Sequence, residues 1–521
     1  MEPTDTRREP ERESKLVAAI DVGSNALRMA VAEVLPNGEF EVLERLQRAV
    51  RLGQDAFRRG RLGGQSMRAA VSVLQDFRQV LRLYDVGQLR AVATSAVREA
   101  SNADTFLDRV FMATALQLEV IGTSEESRLT VSAVRRAVGD ALEVNRGVSL
   151  IADVGGGSTL LTLLEEGEIV SSQGLRLGSI WLQEMLSTSE ESPERSAELL
   201  RHHIWNALST APTAPPLERV DSFIAVGGDA RFAAREVGKP TDSADLMVVE
   251  RADLDRLVRH CRKYTAEELS RRYGLPFAEA ETINPALLVY QMLLKKTRAE
   301  RLIISHVSMR EGLLLELARA ATGQEDEGLL KGILHSAAAL AEKYGVDVEH
   351  AGAVAELAVE LFDLLQADHG LSARHRLLLR VAAMLHEVGA FINPRSLHKH
   401  SYYIILHSEV FGLSRSETEM VAHTARYYRG GGPKLSHVEY TSLPREKRVV
   451  INKLAALLRL ADALARGRVE TARRLHFERE GDELIVRLPS PSDLLLERRS
   501  LAGRGDLFED VYGMKVRLEE G

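Results

Sequence analysis

The sequence predicts an α/β protein of two lobes with duplicated topology, followed by an all-α domain and a small β or α/β C-terminal domain. Three observations carry this. A short apolar strand runs twice into an aspartate and a glycine-rich turn, as LVAAIDVGSN with Asp21, Gly23, Ser24 and Asn25, and as VSLIADVGGGST with Asp153, Gly155, Gly156, Gly157 and Ser158. The alternation of strand and helix that fills the first stretch restarts at Val148, the mark of an internal duplication. Downstream of ATGQEDEG (Ala321 to Gly328) the pattern turns to amphipathic helix, and 11 of the 15 histidines lie beyond residue 328.

In order along the chain, the charged start MEPTDTRREPERESK lacks an apolar core and reads as a disordered tail over 1–15. The first lobe follows over 16–129. PNG at Pro36 to Gly38 is a hairpin turn, GQSMRAAVSVLQDFRQVLRLY has apolar residues at helical spacing, and QLRAVATSAVREASN reads as a strand entering a helix. The second lobe is expected over 130–322, with polar surface loops at Ser187 to Ser196 and Ala211 to Glu218. A third strand-to-glycine turn, FIAVGGDA, brings Gly227 and Gly228 toward the same cleft. The helical domain spans 323–467. A C-terminal domain over 468–521 contains RLHFEREGDELIVRLP, a strand pair about a polar turn, and FEDVYGMKVRLEE, read as a further strand.

With 521 residues, 45% hydrophobic and 27% charged, the composition is that of a globular protein of several domains. The lone cysteine, Cys261, excludes an intrachain disulfide and fits a reducing compartment. No apolar run approaches the roughly 20 residues of a membrane span, and a cytoplasmic location is expected. The net charge of −7 argues against broad nucleic-acid binding. An anionic ligand would need a local basic patch, with Lys295, Lys296, Arg298 and Arg301 or Arg426, Arg429 and Lys434 as candidates.

Glycine turns let successive backbone N–H groups approach an anion and form a concave cradle. Two facing cradles could hold consecutive phosphates, and their aspartates could position a cation. Glu125 and Glu126 follow the apolar run LEVI; by themselves, two such acids suit a helix start.

With these residues in place, the chain resembles the exopolyphosphatase and guanosine pentaphosphate phosphohydrolase family of the actin-like (ribonuclease H-like) superfamily. The resemblance rests on AAIDVGSNALRM, AVATSAVREASN, VIGTSEESRL, IADVGGGST and VSMREGLL, in that order. AAMLHEVGAFIN and SLHKHSYYIILHSE resemble the long form of the family. The resemblance implies two actin-like lobes and a Mg²⁺- or Mn²⁺-dependent hydrolase that releases terminal orthophosphate from inorganic polyphosphate, with guanosine pentaphosphate as a second substrate. It also implies a homodimer. It places the catalytic glutamate in the 125–126 pair, with Glu126 favoured by its spacing from Arg98 and Glu125 in reserve. Arg98 would offer its guanidinium to phosphate oxygens. The cradle would be Gly23, Ser24, Asn25, Gly155, Gly156, Gly157 and Ser158, with Asp153 and Asp21 toward the metal.

Two positions depart from the family pattern. Leu160 stands where the family carries glutamate, and Asp229 where it carries threonine. A carboxylate at 229 is expected to repel phosphate. Both departures motivate an alternative, a catalytically weak sensor of polyphosphate or guanosine alarmones. An actin-superfamily kinase is disfavoured by the weak adenosine-side loop. The helical domain resembles the HD phosphohydrolase fold, whose metal site would map to His350, His386, Glu387 and Asp462. Because Glu387 replaces aspartate and reaches one methylene further, a scaffold that helps form a dimer or a channel is expected there instead of a working centre.

Overall fold

The computed structural model describes residues 15–139, 147–186, 188, 191–210, 216–243, 245–323, 327–465, 475–488 and 495–520. The expected disordered tail, except Lys15, lies outside them, as do 187, 189, 190 and 211–215 of the two polar loops and the centre of the proposed linker; the first loop ends earlier than expected, since Pro193–Thr210 is helical. The chain divides into two compact units between Leu329 and Leu330.

The first unit holds two sheets. β1 (Lys15–Val22), β2 (Ala26–Val34), β3 (Phe40–Ala49), β4 (Gln88–Ala93) and β5 (Leu118–Val120) form one in the order β3-β2-β1-β4-β5. β1 to β3 are antiparallel, and β4 and β5 run parallel to β1. The second sheet is built from β6 (Val148–Val154), β7 (Thr159–Glu165), β8 (Glu168–Leu175), β9 (Ser222–Val226), β10 (Lys239–Pro240), β11 (Leu246–Glu250) and β12 (Arg301–Ser305). Its order β8-β7-β6-β9-β12 repeats that of the first sheet, and β11 and β10 extend the edge beyond β12. The duplication read from the two glycine turns is therefore a duplication of topology. The central strands of both sheets are buried on both faces, which explains their unbroken apolar runs.

The PNG hairpin joins β2 to β3 as expected, with Gly38 at φ 83°, and the helix Gly64–Leu83 buries Met67, Ala70, Leu74, Phe77 and Leu81. The boundary at 322 needs correction. The helix Met309–Thr322 packs with β1 and the helix Thr123–Val138, and its Leu313 and Leu314 share a buried cluster with Val17, Ala19 and Leu129. Gly312 permits this contact, since a Cβ there would overlap the Leu129 backbone. The chain thus leaves the second sheet at β12 and returns to the first.

The helix Glu327–Lys343 carries the chain into the second unit, which is mostly helical to Leu464 and ends in a three-stranded sheet, β13 (His476–Glu480), β14 (Glu483–Leu488) and β15 (Lys515–Glu520). The segment FEDVYGMKVRLEE is not all strand. Asp506–Tyr512 is helical, buries Leu507 and Phe508, and packs on the helix Arg445–Leu464; β15 begins only after Gly513, at φ 69°.

Candidate active site

A cleft of about 770 Å³ between the two sheets gathers the residues singled out in the sequence. Asp21, Gly23, Ser24 and Asn25 reach it from the β1–β2 turn, and Asp153, Gly155, Gly156, Gly157 and Ser158 from the β6–β7 turn. In the first turn the Gly23 N–H is used by the Ala26 carbonyl, and in the second the Gly155 N–H by that of Ser158. The N–H groups of Ser24, Asn25, Gly156, Gly157 and Ser158 have no hydrogen-bond acceptor among the described residues. These five amides form the two-sided cradle that an anion needs. The helix Gly228–Val237 adds its N-terminus from the third turn, where Gly227 sits at φ 122°.

The two turns lie close together. Ser24 and Ser95 hydroxyls are 3.0 Å apart, and a Cβ on Gly156 would come 3.0 Å from the Ser24 Cβ. A Cβ on Gly157 would overlap Ser95 and stand 2.6 Å from Phe57 Cζ. Glycine at 156 and 157 is therefore what lets the lobes meet. Asn25 also bridges them, its amide nitrogen donating to the Ala278 carbonyl at the start of the helix Phe277–Lys296.

Glu126 enters from the first turn of the helix Thr123–Val138 and lines the cleft. Burial pushes its carboxyl up to about 7 against the lowering effect of Arg98, with Asp153 and Asp21 adding to the rise. Its neighbour Glu125 does not line the cleft. One residue further back is a 100° rotation on a helix, and Glu125 pairs instead with Arg90 and, at 3.6 Å, with Arg128. The reserve assignment falls on this geometry. Arg98 does not line the cleft either. Its Nη1 donates to Glu126 and, at 2.6 Å, to the Ile121 carbonyl, so in this arrangement it holds the glutamate.

The guanidiniums that do face the cleft are Arg28, Arg231, Arg235 and Arg310, none of which the sequence reading assigned a role. Arg28 could have been found: Asp21 and Arg28 are directly paired across the β1–β2 hairpin, 3.7 Å apart at their charged ends. Arg310 belongs to VSMREGLL, and Arg231 follows the third glycine turn by two residues. Burial and mutual repulsion with Arg28 lower both Arg231 and Arg310, so the three charges converge.

Asp153 is pushed up to about 6 by burial, eased by Arg231, and Asp21 is raised by burial despite Arg28 and Arg310. Asp229 is not an unscreened repulsive charge. It accepts a 2.8 Å hydrogen bond from Thr282, faces Arg231, and burial raises it to about 6. Leu160 is paired with Asp153 across β6 and β7 and adds an apolar wall. Five carboxylates (Asp21, Glu126, Asp153, Asp229 and Glu279) thus face four guanidiniums. That balance leaves no surplus positive charge for a phosphate chain.

In the second unit, His350, His386, Glu387 and Asp462 place ligand atoms within 4.8 Å of one another. His386 is fully buried, its Nδ1 lies 2.6 Å from the Ala383 carbonyl, and its Nε2 points to Asp462 Oδ1 at 3.5 Å. Asp462 Oδ2 is paired with Arg504. His423, a further histidine of this unit, is buried among Tyr402, Tyr427 and Tyr440 and lowered to about 4.

Residues 30–321, more than half of the chain, match the Ppx/GppA phosphatase family. The chain belongs to the Ppx/GppA phosphatase family. Residues 334–506 match Ppx/GppA phosphatase domain III. Two curated Ppx/GppA relatives, each named guanosine-5'-triphosphate,3'-diphosphate pyrophosphatase, align along almost their whole length. That of Aeromonas hydrophila is 28% identical over 92% of this chain and 93% of its own. That of Vibrio vulnificus is 26% identical over 91% and 92%. Among solved structures, an exopolyphosphatase from Cytophaga hutchinsonii shares the fold with a TM-score of 0.53 at 23% identity, over 60% of this chain and 99% of its own. Among the described residues of this Ppx/GppA phosphatase, no helix is long and apolar enough to cross a membrane.

Proposed function

We propose that this Ppx/GppA phosphatase hydrolyses the terminal phosphoanhydride of a phosphate chain carried either by guanosine, as in guanosine pentaphosphate, or by inorganic polyphosphate. The observation that supports this most is the pairing of a five-amide cradle with one carboxyl, Glu126, raised to about 7 at its edge. The amides of Ser24, Asn25, Gly156, Gly157 and Ser158 hold the terminal phosphoryl oxygens and stabilise the charge that spreads over them in transfer. Ionised Glu126 accepts a proton from the attacking water, and a base with a value near neutrality is suited to that task. Arg98 keeps the carboxylate aimed at the water. Arg28, Arg231 and Arg310 face the phosphate chain.

The donor set fits a hard divalent cation such as Mg²⁺ or Mn²⁺. Asp21 and Asp153 are oxygen donors whose raised values show that nearby guanidiniums do not fully offset their burial. When bound, the cation would supply the positive charge that a polyanionic substrate needs in this balanced cleft.

The test is orthophosphate release, by one preparation with Mg²⁺ or Mn²⁺, from guanosine pentaphosphate, short polyphosphate and long polyphosphate. Turnover of at least one is expected. Saturable binding of all three with no phosphate released would replace this reading with the sensor that Leu160 and Asp229 motivated. Sedimentation of the same preparation tests the homodimer.

A divalent cation in the second unit is supported by His386. With its Nδ1 hydrogen engaged by Ala383, its Nε2 lone pair faces a carboxylate oxygen, an arrangement that calls for a cation between them. Arg504 is paired with the other oxygen of Asp462. Metal analysis after Mn²⁺ or Zn²⁺ loading should find an ion that is lost in His386→Ala. Equal metal content in both proteins would leave the scaffold expected from the reach of Glu387.

A further inference from the structure

A second cavity, of about 810 Å³, opens in the second lobe between the helices Pro193–Thr210, Arg251–Cys261 and Phe277–Lys296. None of its lining residues lines the catalytic cleft. Four cations face it, Arg201, Arg262, Lys263 and Lys295, against Glu194 and Glu198. Glu198 is already held by Arg195 at 2.7 Å, and Lys295 lies 3.6 Å from Asp255. Arg201 and Arg262 make no side-chain hydrogen bond or ion pair among the described residues, although each is half-buried. They are near enough that Arg262, after burial, is the main cause of the lowered value of Arg201. Asp255 offsets this repulsion only in part, and two close guanidiniums that no side chain bonds are arranged for an anion with several oxygens, which each can grip through two parallel donors.

The same cavity presents an aromatic face. Trp205 lies one helical turn from Arg201, on the same side of its helix, and is 56% exposed, the only exposed large hydrophobic side chain of that helix among the described residues. Met292 adds an apolar contact at the wall. A planar base stacked on an exposed indole, with its phosphates against paired arginines, matches this distribution. Inorganic phosphate chains would use the arginines and leave the indole in water. Two neighbouring helices also end here, and their C-terminal carbonyls disfavour an anion. Arg201 and Arg262 outweigh that local effect even with Lys295 paired to Asp255 and Glu194 set against Lys263, since each guanidinium carries a full charge against the half charge of a helix end.

We propose that this groove binds a nucleoside polyphosphate, its base on Trp205 and its phosphates on Arg201 and Arg262, separately from the catalytic cleft. The helix Phe277–Lys296 connects the two places: Glu279, Thr282 and Ile283 line the cleft, and Gln291, Met292 and Lys295 line the groove. The eight residues from Ile283 to Gln291 span about 12 Å of helix.

Guanosine triphosphate and inorganic tripolyphosphate serve as probes with the full chain in metal-free buffer, where binding is read by equilibrium dialysis and by tryptophan emission. The chain holds only two tryptophans, Trp181 and Trp205, so the signal is assignable with Trp205→Phe. Guanosine triphosphate is expected to bind at two sites per chain and to quench Trp205 saturably. Arg201→Ala/Arg262→Ala should weaken the quenching site at least tenfold and leave one site, with unchanged kcat and KM for phosphate release and an unchanged unfolding midpoint. Trp205→Ala should reduce guanosine triphosphate to the affinity of tripolyphosphate at that site. Unchanged stoichiometry and quenching in the double arginine variant would overturn the proposal. Equal affinity of the two probes in the wild type would overturn its nucleoside part. A chain without phosphatase turnover would still show the second site, so the two readings fail separately.

Discussion

Arg98 and Glu126 form an ion pair at the edge of the phosphate cradle, and the same Arg98 nitrogen donates to the Ile121 carbonyl at 2.6 Å. That carbonyl belongs to the segment leading into the helix that carries Glu126. The arginine therefore ties the glutamate to its own helix start. Glu126→Gln keeps the side-chain volume and an acceptor for Arg98 but cannot take a proton. Phosphate release should fall about 10²- to 10⁴-fold in kcat, with KM changed less than threefold, in steady-state assays. Wild-type turnover in this variant would remove Glu126 as the base.

The acid limb of the pH profile follows from the same pair. Glu126 must be ionised to accept a proton, so kcat/KM should fall as pH drops through about 7 in the free enzyme. Arg98 is the group that lowers the carboxyl, so Arg98→Met should move the limb upward by about one pH unit while leaving KM near wild type. A raised KM with an unmoved limb would instead mean that Arg98 grips the phosphate.

Stability should show the opposite face of this tuning. Glu126, Asp153 and Asp229 all hold their protons more tightly than ordinary carboxyls. A group raised by folding stabilises the native state below its unfolded value, and that contribution is lost as pH rises through the folded value. For Glu126 this window runs from about 4.5 to about 7. Glu126→Gln should therefore raise the unfolding free energy at pH 8, by at most about 3 kcal/mol, with a higher midpoint there, and leave both unchanged near pH 4. A midpoint lowered at pH 8 would show that the Arg98 pair outweighs burial.

How far the sequence reached depends on how local each signal was. The glycine turns and their aspartates are encoded within ten residues, and the structure brings both to one cleft. Glu126 and Glu125 differ by one position, and only their helical phase separates the cleft residue from the one buried against Arg90. Arg28, Arg231 and Arg310 come from a strand and two helix starts that meet only through tertiary packing, and in isolation each is an ordinary arginine. The return of Met309–Thr322 to the first sheet was illegible for the same reason, because it depends on Gly312 meeting Leu129 across the fold.

Asp229 offers a check on how the cleft balances charge. The expectation from sequence was repulsion of phosphate, yet the carboxyl is bonded to Thr282, faces Arg231 and is raised to about 6. Asp229→Asn keeps the acceptor for Thr282 and removes the charge. If the residue simply repels substrate, KM should fall severalfold. If its charge instead offsets that of Arg231, which acts on it electrostatically, KM should rise, because the guanidinium loses a compensating charge beside Asp153. The rise is the expected result.

Gly157 tests the closeness of the two turns directly. A methyl group there would overlap the Ser95 hydroxyl and stand 2.6 Å from Phe57 Cζ, and both neighbours belong to the opposite lobe. Neither can retreat easily, since Ser95 is held by Ser24 and Phe57 is buried in the first lobe's core. The backbone must move instead, which widens the cradle. A shift of about 1 Å in a positioned group can cost on the order of a hundredfold in rate. Gly157→Ala should thus lose kcat about a hundredfold. Its unfolding midpoint should fall only modestly, because the turns meet at the surface of each core and not within it. Gly53→Ala provides the contrast within the first lobe: its Cβ would press on Phe57 and Ser24 at 2.8 and 2.9 Å without touching the second loop. It should cost stability more than Gly157→Ala does and turnover less; the reverse order would show that the lobes are not held at the separation the activity requires.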